Sequence, residues 1–289
     1  MYMYVTSFVM ALNISDKNML KIRWALKVTQ WVPSPEQWLT AMRCIQTEEQ
    51  TRVMKFIFKK DVKPALCGRL MIRKCISQAL NVPYNKVFLG RSDKEKPILM
   101  NPKDDSFGFN ISHQGDYCVL AAQQGKVGVD VMNYDYTRLS YLDSFFNNFD
   151  KILSNSEWDF VRLGPSDIAK LQRFYRLWAL KESYLKAEGT GIPFGLSRIS
   201  FHCPTVTLTQ DSVVTDTIVY VDGCRLDDWI FEESLLDKDH CIAVACSLDD
   251  ANDNYSLFKK ININELLEDV IPLHESCDKS LWDSFAKKS

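Results

Sequence analysis

The most regular pattern of apolar and polar positions lies in residues 174–191, and it predicts a helix. Leucine, alanine, lysine, glutamate and arginine dominate this stretch, and all five are good helix formers. Gly189 and Gly191 mark its end, as glycine does where a helix needs a left-handed exit. At about 100° per residue, five apolar side chains share one sector: Phe174, Leu177, Trp178, Tyr184 and Leu185.

Three charged side chains lie at or beside this apolar sector. Lys181 projects into it, while Glu182 and Lys186 follow its edge, four residues apart and therefore neighbours on the helix surface. A helix exposed to water would carry its charges on the far side, so the pattern favours a helix that lines a cleft. The alternative is an amphipathic helix with one Glu–Lys pair and a lysine whose alkyl stem covers apolar surface.

A second pattern, in residues 127–132, predicts a strand with valines on one face. Asp130 shares the opposite face with Gly128 and Met132. An aspartate is disfavoured in a strand and costly to bury without a partner, so a bound cation would explain its position. The alternative is an edge strand that leaves Asp130 in water.

Residues 107–112 form another alternating segment, with Asn110 and Ser112 on its polar face. His113 follows, and we expect it to stand at the strand end and to face a substrate. The alternative is a structural histidine that only makes hydrogen bonds. Upstream, the charged turn 91–97 contains three basic residues that suit phosphate groups, although a solvated loop has the same composition.

Weaker periodicities complete the predicted secondary structure. Ser34 is expected to cap a helix, and the spacing at Thr47 and at Ser154 predicts two capping boxes. Asp222 and Gly223 predict a hairpin turn. The further predicted helices are 34–45, 47–56, 61–80, 138–147 and 154–163. The further predicted strands are 22–28, 87–90, 117–122, 198–202, 206–208, 217–221, 229–231 and 241–246.

Composition narrows the class of protein. The chain has 289 residues, 46% of them hydrophobic, and a formal net charge of −2, which argues against a general nucleic-acid binder. Its nine cysteines include no CxxC pair, so we expect neither a disulfide framework nor a zinc site, and we expect a reducing compartment. Residues 1–12 are apolar but lack the features of a signal peptide, and we expect them to lead into the first strand. No stretch approaches the about 20 apolar residues of a membrane span.

Three stretches now stand in the order and spacing of a known family: Phe-Asn-Ile-Ser-His at 109–113, Gly-Val-Asp at 128–130, and Trp-Ala-Leu-Lys-Glu-Ser-Tyr-Leu-Lys at 178–186. With them the chain resembles the 4′-phosphopantetheinyl transferases of the large, surfactin-synthetase-activating type, in the pattern of the animal members. The resemblance includes residues 68–73 and spans residues 20–248.

This resemblance implies an α+β fold of two similar α/β halves related by a pseudo-two-fold. Each half would pair a small antiparallel sheet with a long helix, and the active site would lie between them. The expected domains are an N-terminal half (1–125), a C-terminal half with the metal site and the central helix (126–248), and an extension (249–289). We expect the extension to follow a polar linker at 248–254 and to lie on the surface, with short amphipathic pieces around Leu266 and Trp282.

The resemblance also implies the activity, that of a holo-[acyl-carrier-protein] synthase. Such an enzyme transfers 4′-phosphopantetheine from coenzyme A to a serine of an apo acyl or peptidyl carrier domain and releases adenosine 3′,5′-bisphosphate, with Mg²⁺ as cofactor. The expected partners are carrier domains of the fatty acid synthase and aminoadipate-semialdehyde dehydrogenase types, which connects the chain with fatty acid biosynthesis and lysine metabolism. We expect a cytosolic monomer without nucleic-acid or membrane partners.

Residue roles follow from the same resemblance. Asp130 and Glu182 would hold Mg²⁺, which prefers oxygen ligands, and Glu182 would also accept the serine proton. Lys186 would stabilise charge on the pyrophosphate, and Lys181 is a further candidate for a phosphate contact. Many bacterial members have a carboxylate at the position of Met132, where we expect a water to replace that ligand. The expected coenzyme A contacts are Arg52, Arg91, Lys94, Lys96, Asn110, Ile111, Ser112, His113 and Lys186.

Two other hypotheses use the same residues. A Mg²⁺-dependent phosphohydrolase could employ the two carboxylates, but no further carboxylate cluster accompanies them in the sequence. A non-catalytic module that binds a carrier protein or coenzyme A would be free to lose Asp130, Glu182 and Lys186, and the chain retains all three.

Overall fold

The computed structural model describes residues 21–189, 195–248 and 255–289. Its helices are α1 (Pro35–Arg43), α2 (Thr47–Met54), α3 (Lys59–Ala79), α4 (Leu142–Asn147), α5 (Asn155–Arg162), α6 (Asp167–Glu188), α7 (Ile263–Leu267) and α8 (Ser280–Ala286). Its strands are β1 (Ile22–Lys27), β2 (Phe88–Arg91), β3 (Pro97–Asn101), β4 (Phe107–Gln114), β5 (Tyr117–Gln124), β6 (Val127–Asn133), β7 (Ile199–His202), β8 (Ile218–Val221), β9 (Cys224–Leu226), β10 (Trp229–Asp237), β11 (His240–Ser247) and β12 (Lys259–Ile261). The predictions for residues 1–12, for Gly191 and for most of the stretch 248–254 lie outside the described residues.

The N-terminal half is built on a four-stranded sheet with the order β12-β1-β5-β4. β5 runs antiparallel to both β1 and β4. The 21-residue helix α3 packs against β4 and β5, where Leu66 and Leu70 join Leu26 and Leu120 in one core. The hairpin of β2 and β3 forms a separate two-stranded sheet.

The C-terminal half repeats this plan with a three-stranded antiparallel sheet in the order β10-β11-β6. The 22-residue helix α6 crosses β6 and β11, and α5 packs on α6. A second small sheet, β7-β8-β9, adjoins them, and the Asp222–Gly223 turn links its last two strands as predicted. Two halves that each combine small antiparallel strands with one long helix confirm the predicted α+β class. None of the helices within the described ranges is long and apolar enough to cross a membrane.

An apolar layer joins the two sheets face to face. Val119 and Ala121 of β5 share one buried cluster with Val129 of β6 and Val244 of β11. Alternate residues of β5 and β11 instead face the helix-lined core of their own half. Burial on both faces explains why these two strands are continuous apolar runs in the sequence.

A buried ion pair crosses the same boundary between the halves. The Arg23 guanidinium on β1 donates from Nε to Glu232 Oε2 (2.8 Å) and from Nη2 to Glu232 Oε1 (3.0 Å) on β10. Its Nη2 also donates to Gln123 Oε1 at 2.6 Å. Because a buried charge without its partner is costly, these bonds restrict how the two sheets can pack.

The local signals at helix starts were reliable in two places out of three. Ser34 caps α1 with a full capping box, and Ser154 does the same for α5 with Glu157. The capping box expected at Thr47 is wrong, because Gln46 is the N-cap of α2 and makes no side-chain capping bond.

Other sequence predictions also differ from the structure. Residues 206–208 do not form a strand, and β10 extends beyond the predicted 229–231. Strands β3, β9 and β12 were not predicted; the three apolar residues of β3 are consecutive and show no alternation. β4 continues to Gln114, so His113 lies inside a paired strand and not at its exit. Helix α6 begins at Asp167, where Ser166 accepts a hydrogen bond from Ala169 N.

The C-terminal segment is part of the N-terminal core, which corrects the expectation of a surface extension. β12 pairs in parallel with β1, and Ile261 and Leu266 are buried. The Phe285 ring of α8 stacks on the Trp38 ring with 3.8 Å between centroids. The two amphipathic pieces were correctly located in the sequence, but their apolar faces are covered by the N-terminal half.

We expect Phe285→Ala to lower the free energy of unfolding by about 3–5 kcal/mol, because the ring is 3% exposed and its removal leaves a cavity. Ile271→Ala, in the same segment but 54% exposed, is the matched control and should cost less than about 1 kcal/mol. Chemical denaturation of both variants measures the difference. Equal, small losses would mean that the segment only lies on the surface.

Candidate active site

The site begins with an unusually close contact between β6 and α6. A Cβ atom at position 128 would lie 2.0 Å from the Ser183 carbonyl oxygen and 2.5 Å from the Ala187 nitrogen. Only glycine therefore lets the strand lie directly on this turn of the helix. Asp130 is two residues further along the strand, on the same face, so its side chain also points towards the helix.

Two groups hold one oxygen of the Asp130 carboxylate. Lys186 Nζ on α6 lies 2.6 Å from Asp130 Oδ1, and Ser112 Oγ on β4 donates to the same oxygen at 2.7 Å. Lys186 Nζ also donates to Ser112 Oγ (3.0 Å) and to the Val129 carbonyl oxygen (3.2 Å). The strands are linked a second time, because Val129 N donates to Asn110 Oδ1 at 3.0 Å. One motif from each of three elements thus meets at a single point.

The other oxygen of this carboxylate is left for a ligand. Within the described residues, Asp130 Oδ2 is buried and has no hydrogen-bond partner. A buried anionic oxygen without a partner is costly, so the arrangement favours an added cation. No group of three or more histidine, cysteine, aspartate or glutamate residues that could hold a metal occurs in these parts of the chain.

The charge of Asp130 affects the protonation of Glu182. Burial raises the pKa of the Glu182 carboxyl above its usual value, the negative charge of Asp130 raises it further, and Lys186 opposes both. Two carboxylates that repel each other in a partly buried place are typical of a site that binds a cation. The donor set of two carboxylate oxygens suits a divalent ion that takes its remaining ligands from water and phosphate.

A cleft of about 270 Å³ opens between the halves beside these groups. From the C-terminal half it receives Glu182, Leu185, Lys186 and Gly189 of the α6 region. The lining residues from the N-terminal half are Ile72, Lys94, Lys96, Pro97, Phe109, Asn110 and Ile111. Six side chains of the predicted site therefore share this cleft: Lys94, Lys96, Asn110, Ile111, Glu182 and Lys186.

The basic turn between β2 and β3 reaches the C-terminal end of α6. Lys94 Nζ donates to the Gly189 carbonyl oxygen at 2.8 Å, and Lys96 Nζ donates to the Lys186 carbonyl oxygen at 3.2 Å. Cations are favourable at a helix C-terminus, where carbonyl groups are left without partners. Burial lowers the pKa of Lys96, so a bound anion would stabilise its charged form. The turn is thus part of the cleft wall and not a freely solvated loop.

The two predicted arginines face carboxylates in the structure. Arg91 makes a bidentate pair with Glu49, with Nη2 at 2.7 Å from both carboxylate oxygens, and Arg69 Nε donates to Glu49 Oε2 at 2.6 Å. Arg52 pairs with Glu95 at the surface, 2.7 Å apart. Glu49 was missed in the sequence, because no spacing along α2 shows that it pairs with Arg69 of α3 and Arg91 of β2.

Histidine 113 lies outside the cleft that contains Glu182. It is on the β4 face opposite Ser112 and lines a separate groove with Asp61 and Pro64. Burial and the nearby cations Lys186 and Arg69 lower the pKa of its imidazole. His113 is therefore neutral at pH 7 and offers one N–H donor and one acceptor.

Lys181 is not a phosphate contact, which corrects the sequence prediction. Its Nζ is buried against Glu157 at 2.9 Å and donates to the Leu196 carbonyl oxygen at 3.0 Å and to the Ile199 carbonyl oxygen. This lysine holds the chain that follows α6 against α5. The partner was visible in the sequence only as the last residue of a capping box.

Comparison with known proteins gives two matches to family profiles. The profile described as "4′-phosphopantetheinyl transferase, N-terminal" matches residues 29–125. The profile described as "4′-phosphopantetheinyl transferase superfamily" matches residues 126–245.

Individual relatives agree with these profiles. The human L-aminoadipate-semialdehyde dehydrogenase-phosphopantetheinyl transferase is 38% identical over 280 residues, which cover 91% of this chain and 90% of the human protein. A phosphopantetheinyl transferase of Thraustochytrium sp. is 39% identical over 228 residues, 77% of each chain. A 4′-phosphopantetheinyl transferase of Aneurinibacillus migulanus is 27% identical over 222 residues, 77% of this chain and 84% of the relative.

The two profiles together extend over both halves of the chain, and the human relative matches it over nearly its whole length. Enzymes of this family use a divalent metal ion, in accord with the donors around Asp130. The chain belongs to the 4′-phosphopantetheinyl transferase superfamily and is an enzyme that transfers the phosphopantetheine group to carrier proteins.

Proposed function

We propose that this enzyme takes 4′-phosphopantetheine from coenzyme A, with Mg²⁺, and attaches it to a serine of a carrier domain in the cleft between its halves. The observation that carries the proposal is the unequal treatment of the two Asp130 oxygens. Ser112 and Lys186 hold Oδ1, while Oδ2 is buried and has no hydrogen-bond partner among the described residues. The charge of Asp130 also raises the pKa of the Glu182 carboxyl.

Asp130 and Glu182 would hold the Mg²⁺ ion. Mg²⁺ is commonly bound by one or two carboxylates together with waters and substrate phosphates. When bound, the ion supplies positive charge that neutralises the pyrophosphate of coenzyme A. Met132 is buried in the core of the C-terminal half and offers no oxygen. Among the described residues, we therefore assign Asp130 and Glu182 as the protein ligands of the proposed site.

The chain's own groups would position and stabilise the reacting atoms. The serine oxygen attacks the phosphorus that carries pantetheine, the bond to the bridging pyrophosphate oxygen breaks, and adenosine 3′,5′-bisphosphate leaves with that oxygen. The Glu182 carboxylate accepts the serine proton, which suits a carboxyl whose pKa is raised by burial. The Lys186 ammonium, within the cleft, stabilises charge on the pyrophosphate oxygens.

The remaining predicted contacts would hold coenzyme A. Lys94 and Lys96 line the cleft and supply charge for phosphate groups, while Asn110 and Ile111 form its wall along β4. Ser112 and His113, the next two residues of β4, would also contact coenzyme A. Arg52 and Arg91 now pair with Glu95 and Glu49, so a bound phosphate would compete with these carboxylates for the two guanidinium groups.

Several finer features belong to the same proposal. The carrier domains are of the aminoadipate-semialdehyde dehydrogenase type, which the name of the human relative includes, and of the fatty acid synthase type. The enzyme acts as a cytosolic monomer. Its domains are residues 1–125 and 126–248, and the C-terminal segment 249–289 adds β12, α7 and α8 to the first of them. The chain turns from β5 to β6 between Gln124 and Val127.

One assay tests this function. The protein is incubated with coenzyme A, Mg²⁺ and an apo carrier domain, and the carrier is weighed by mass spectrometry while the released nucleotide is quantified. Transfer requires one phosphopantetheine gained per adenosine 3′,5′-bisphosphate released, and none on a carrier whose serine is alanine. Nucleotide release without a heavier carrier would indicate a hydrolase, and no reaction would indicate a binding module.

Substitutions of the two α6 lysines, Lys181 and Lys186, should separate an effect on catalysis from an effect on stability. Lys186→Met removes the charge beside Asp130, and we expect turnover to fall on the order of 100-fold or more, as for other preorganised charge stabilisers. Lys181→Met breaks a buried ion pair and should instead lower the free energy of unfolding by about 3–5 kcal/mol. Single-turnover rates and denaturation curves of both variants give the comparison. Near-normal turnover in folded Lys186→Met would remove this lysine from the chemistry.

The pH profile should depend on Mg²⁺. The pKa of Glu182 is raised, so its metal-binding carboxylate form is lost as the pH falls through a value above the usual one for glutamate. More Mg²⁺ stabilises the carboxylate, and we expect the acid limb of kcat/KM for coenzyme A to move to lower pH as Mg²⁺ increases. An acid limb that stays in place across a wide range of Mg²⁺ would contradict a metal bound at Glu182.

A further inference from the structure

Glu49 of α2 is a buried carboxylate to which the function proposed above gives no part. It is 6% exposed and accepts hydrogen bonds from arginines of two other elements. Arg91 of β2 donates from Nε to Oε1 at 3.0 Å and from Nη2 to both oxygens at 2.7 Å. Arg69 of α3 donates from Nε to Oε2 at 2.6 Å. The Glu49 carboxylate therefore links α2 to α3 and to the hairpin of β2 and β3.

The two arginines keep Glu49 ionised. Burial by itself would raise the pKa of this carboxyl, but the hydrogen bonds and the positive charges of Arg91 and Arg69 outweigh burial and lower it. The side chains of the two arginines are only 19% and 21% exposed, so neither charge is fully solvated. A neutral side chain at position 49 would leave both guanidinium groups without their common counter-ion and would loosen the hold on Arg91.

Arg91 also bonds to the basic turn that follows β2. From its Nη1 it donates to the Glu95 carbonyl oxygen at 2.8 Å. Inside the turn, Glu95 N donates to the Ser92 carbonyl oxygen at 2.8 Å and Ser92 N donates to the Lys96 carbonyl oxygen at 2.9 Å. Glu95 has a φ of 61°, in the left-handed region that residues other than glycine rarely adopt. The bond from Arg91 thus fixes the turn at the residue whose main chain is least favourable by itself.

This turn carries two lysines into the active-site cleft. Lys94 and Lys96 line the cleft together with the proposed catalytic residues. Lys96 Nζ reaches across it and donates to the Lys186 carbonyl oxygen at 3.2 Å. Glu49 is not among the described residues that line the cleft. Its effect on the two lysines therefore passes through Arg91 and the main chain of the turn.

We propose that Glu49 is a positioning residue for coenzyme A binding, which rests on the function proposed above. Glu49 holds Arg91, Arg91 holds the basic turn, and the turn presents its two lysines to the phosphate groups. Charged groups that are oriented before a ligand arrives bind it more tightly, because less free energy goes into ordering them. Glu49 therefore raises the affinity for coenzyme A, although its charge has the same sign as that of the phosphates.

Two other roles of Glu49 predict different results. If Glu49 only stabilises the N-terminal half, its removal lowers stability and leaves coenzyme A binding unchanged. If Glu49 chiefly neutralises Arg91, its removal frees a guanidinium for a phosphate, and coenzyme A binds more tightly. The geometry favours the positioning role, because Arg91 bonds to Glu49 and to the main chain of the turn at the same time and so joins α2 to the turn.

The test uses Glu49→Gln, which removes the charge and nearly preserves the shape. We expect the KM for coenzyme A to rise about tenfold, with kcat and the KM for the carrier domain within twofold of the wild type. The Kd for coenzyme A, measured by calorimetry, should rise in parallel. Glu49→Asp keeps the charge on a shorter side chain, so it should raise the KM for coenzyme A about threefold, and it carries the test if Glu49→Gln does not fold.

Glu233→Gln is the matched control. Glu233 of β10 accepts a bidentate pair from Arg176 at 2.7 and 2.9 Å, buried in the C-terminal half, and it is not among the described residues that line the cleft. We expect this control to lower the free energy of unfolding and to leave the KM for coenzyme A within twofold. An equal rise of the KM in both variants would overturn the positioning role, because loss of stability would then explain the weaker binding.

A double-mutant cycle tests the route through the turn. In Lys94→Met/Lys96→Met the two charges that the turn presents are absent, so adding Glu49→Gln should change the KM for coenzyme A less than twofold further. A further rise of about tenfold would show that Glu49 acts by another route and would overturn the positioning role.

Failure of the positioning role can be distinguished from failure of the proposed function. An unchanged or lower KM for coenzyme A in folded Glu49→Gln, with normal loading of the carrier by the wild type, would overturn the positioning role alone. A wild type that neither binds coenzyme A nor loads the carrier would overturn the positioning role and the proposed function together.

Discussion

Helix α6 can lie directly on β6 because residue 128 has no side chain, and the geometry of the site depends on that contact. With the helix main chain against Gly128, Lys186 comes within 2.6 Å of the carboxylate two residues further along the strand. A larger residue at 128 would move the helix away from Asp130. Gly128 thus allows α6 to approach β6, and Asp130 contacts Lys186 because the helix is so close.

The apolar layer between the two sheets brings the third partner to this place. Valines of β6 pack against β5, and β4 is paired with β5 in the same sheet. This packing brings Ser112 of β4 to Asp130 and Asn110 of β4 to Val129. The buried Arg23–Glu232 pair adds direction to this packing, because an ion pair inside a core tolerates little displacement. The active cleft is therefore a property of both halves together, and neither half alone contains its lining.

Prediction from the sequence succeeded where the structure depends on residues that are close together in the chain. Alternation placed Asp130 on the face of β6 opposite the valines, and the structure turns that face towards α6. Capping patterns located the starts of α1 and α5. Prediction failed where a distant partner decided the outcome. Lys181 was expected in the cleft because no helical pattern can show that Glu157, on another helix, neutralises it.

The same reason explains the C-terminal segment and Arg91. In the sequence alone, short amphipathic segments are typical of elements that lie on the surface. In the structure the N-terminal core covers them, as the stacking of Phe285 on Trp38 shows. A basic turn looks available for phosphate until the structure shows the Arg91 guanidinium on Glu49. Tertiary pairing of charges is not encoded in the spacing of residues along one element, so these contacts could only be read from the fold.

The position of a bound cation tests most directly whether Asp130 and Glu182 form the metal site. Crystals grown with coenzyme A and Mn²⁺, an ion that also prefers carboxylate oxygen, would locate the ion by its anomalous scattering. We expect one peak within about 2.5 Å of Asp130 Oδ2 and of a Glu182 oxygen, with Lys186 still on Asp130 Oδ1. A peak elsewhere, with Asp130 Oδ2 still lacking a ligand, would contradict the claim that the fold keeps this oxygen for the metal.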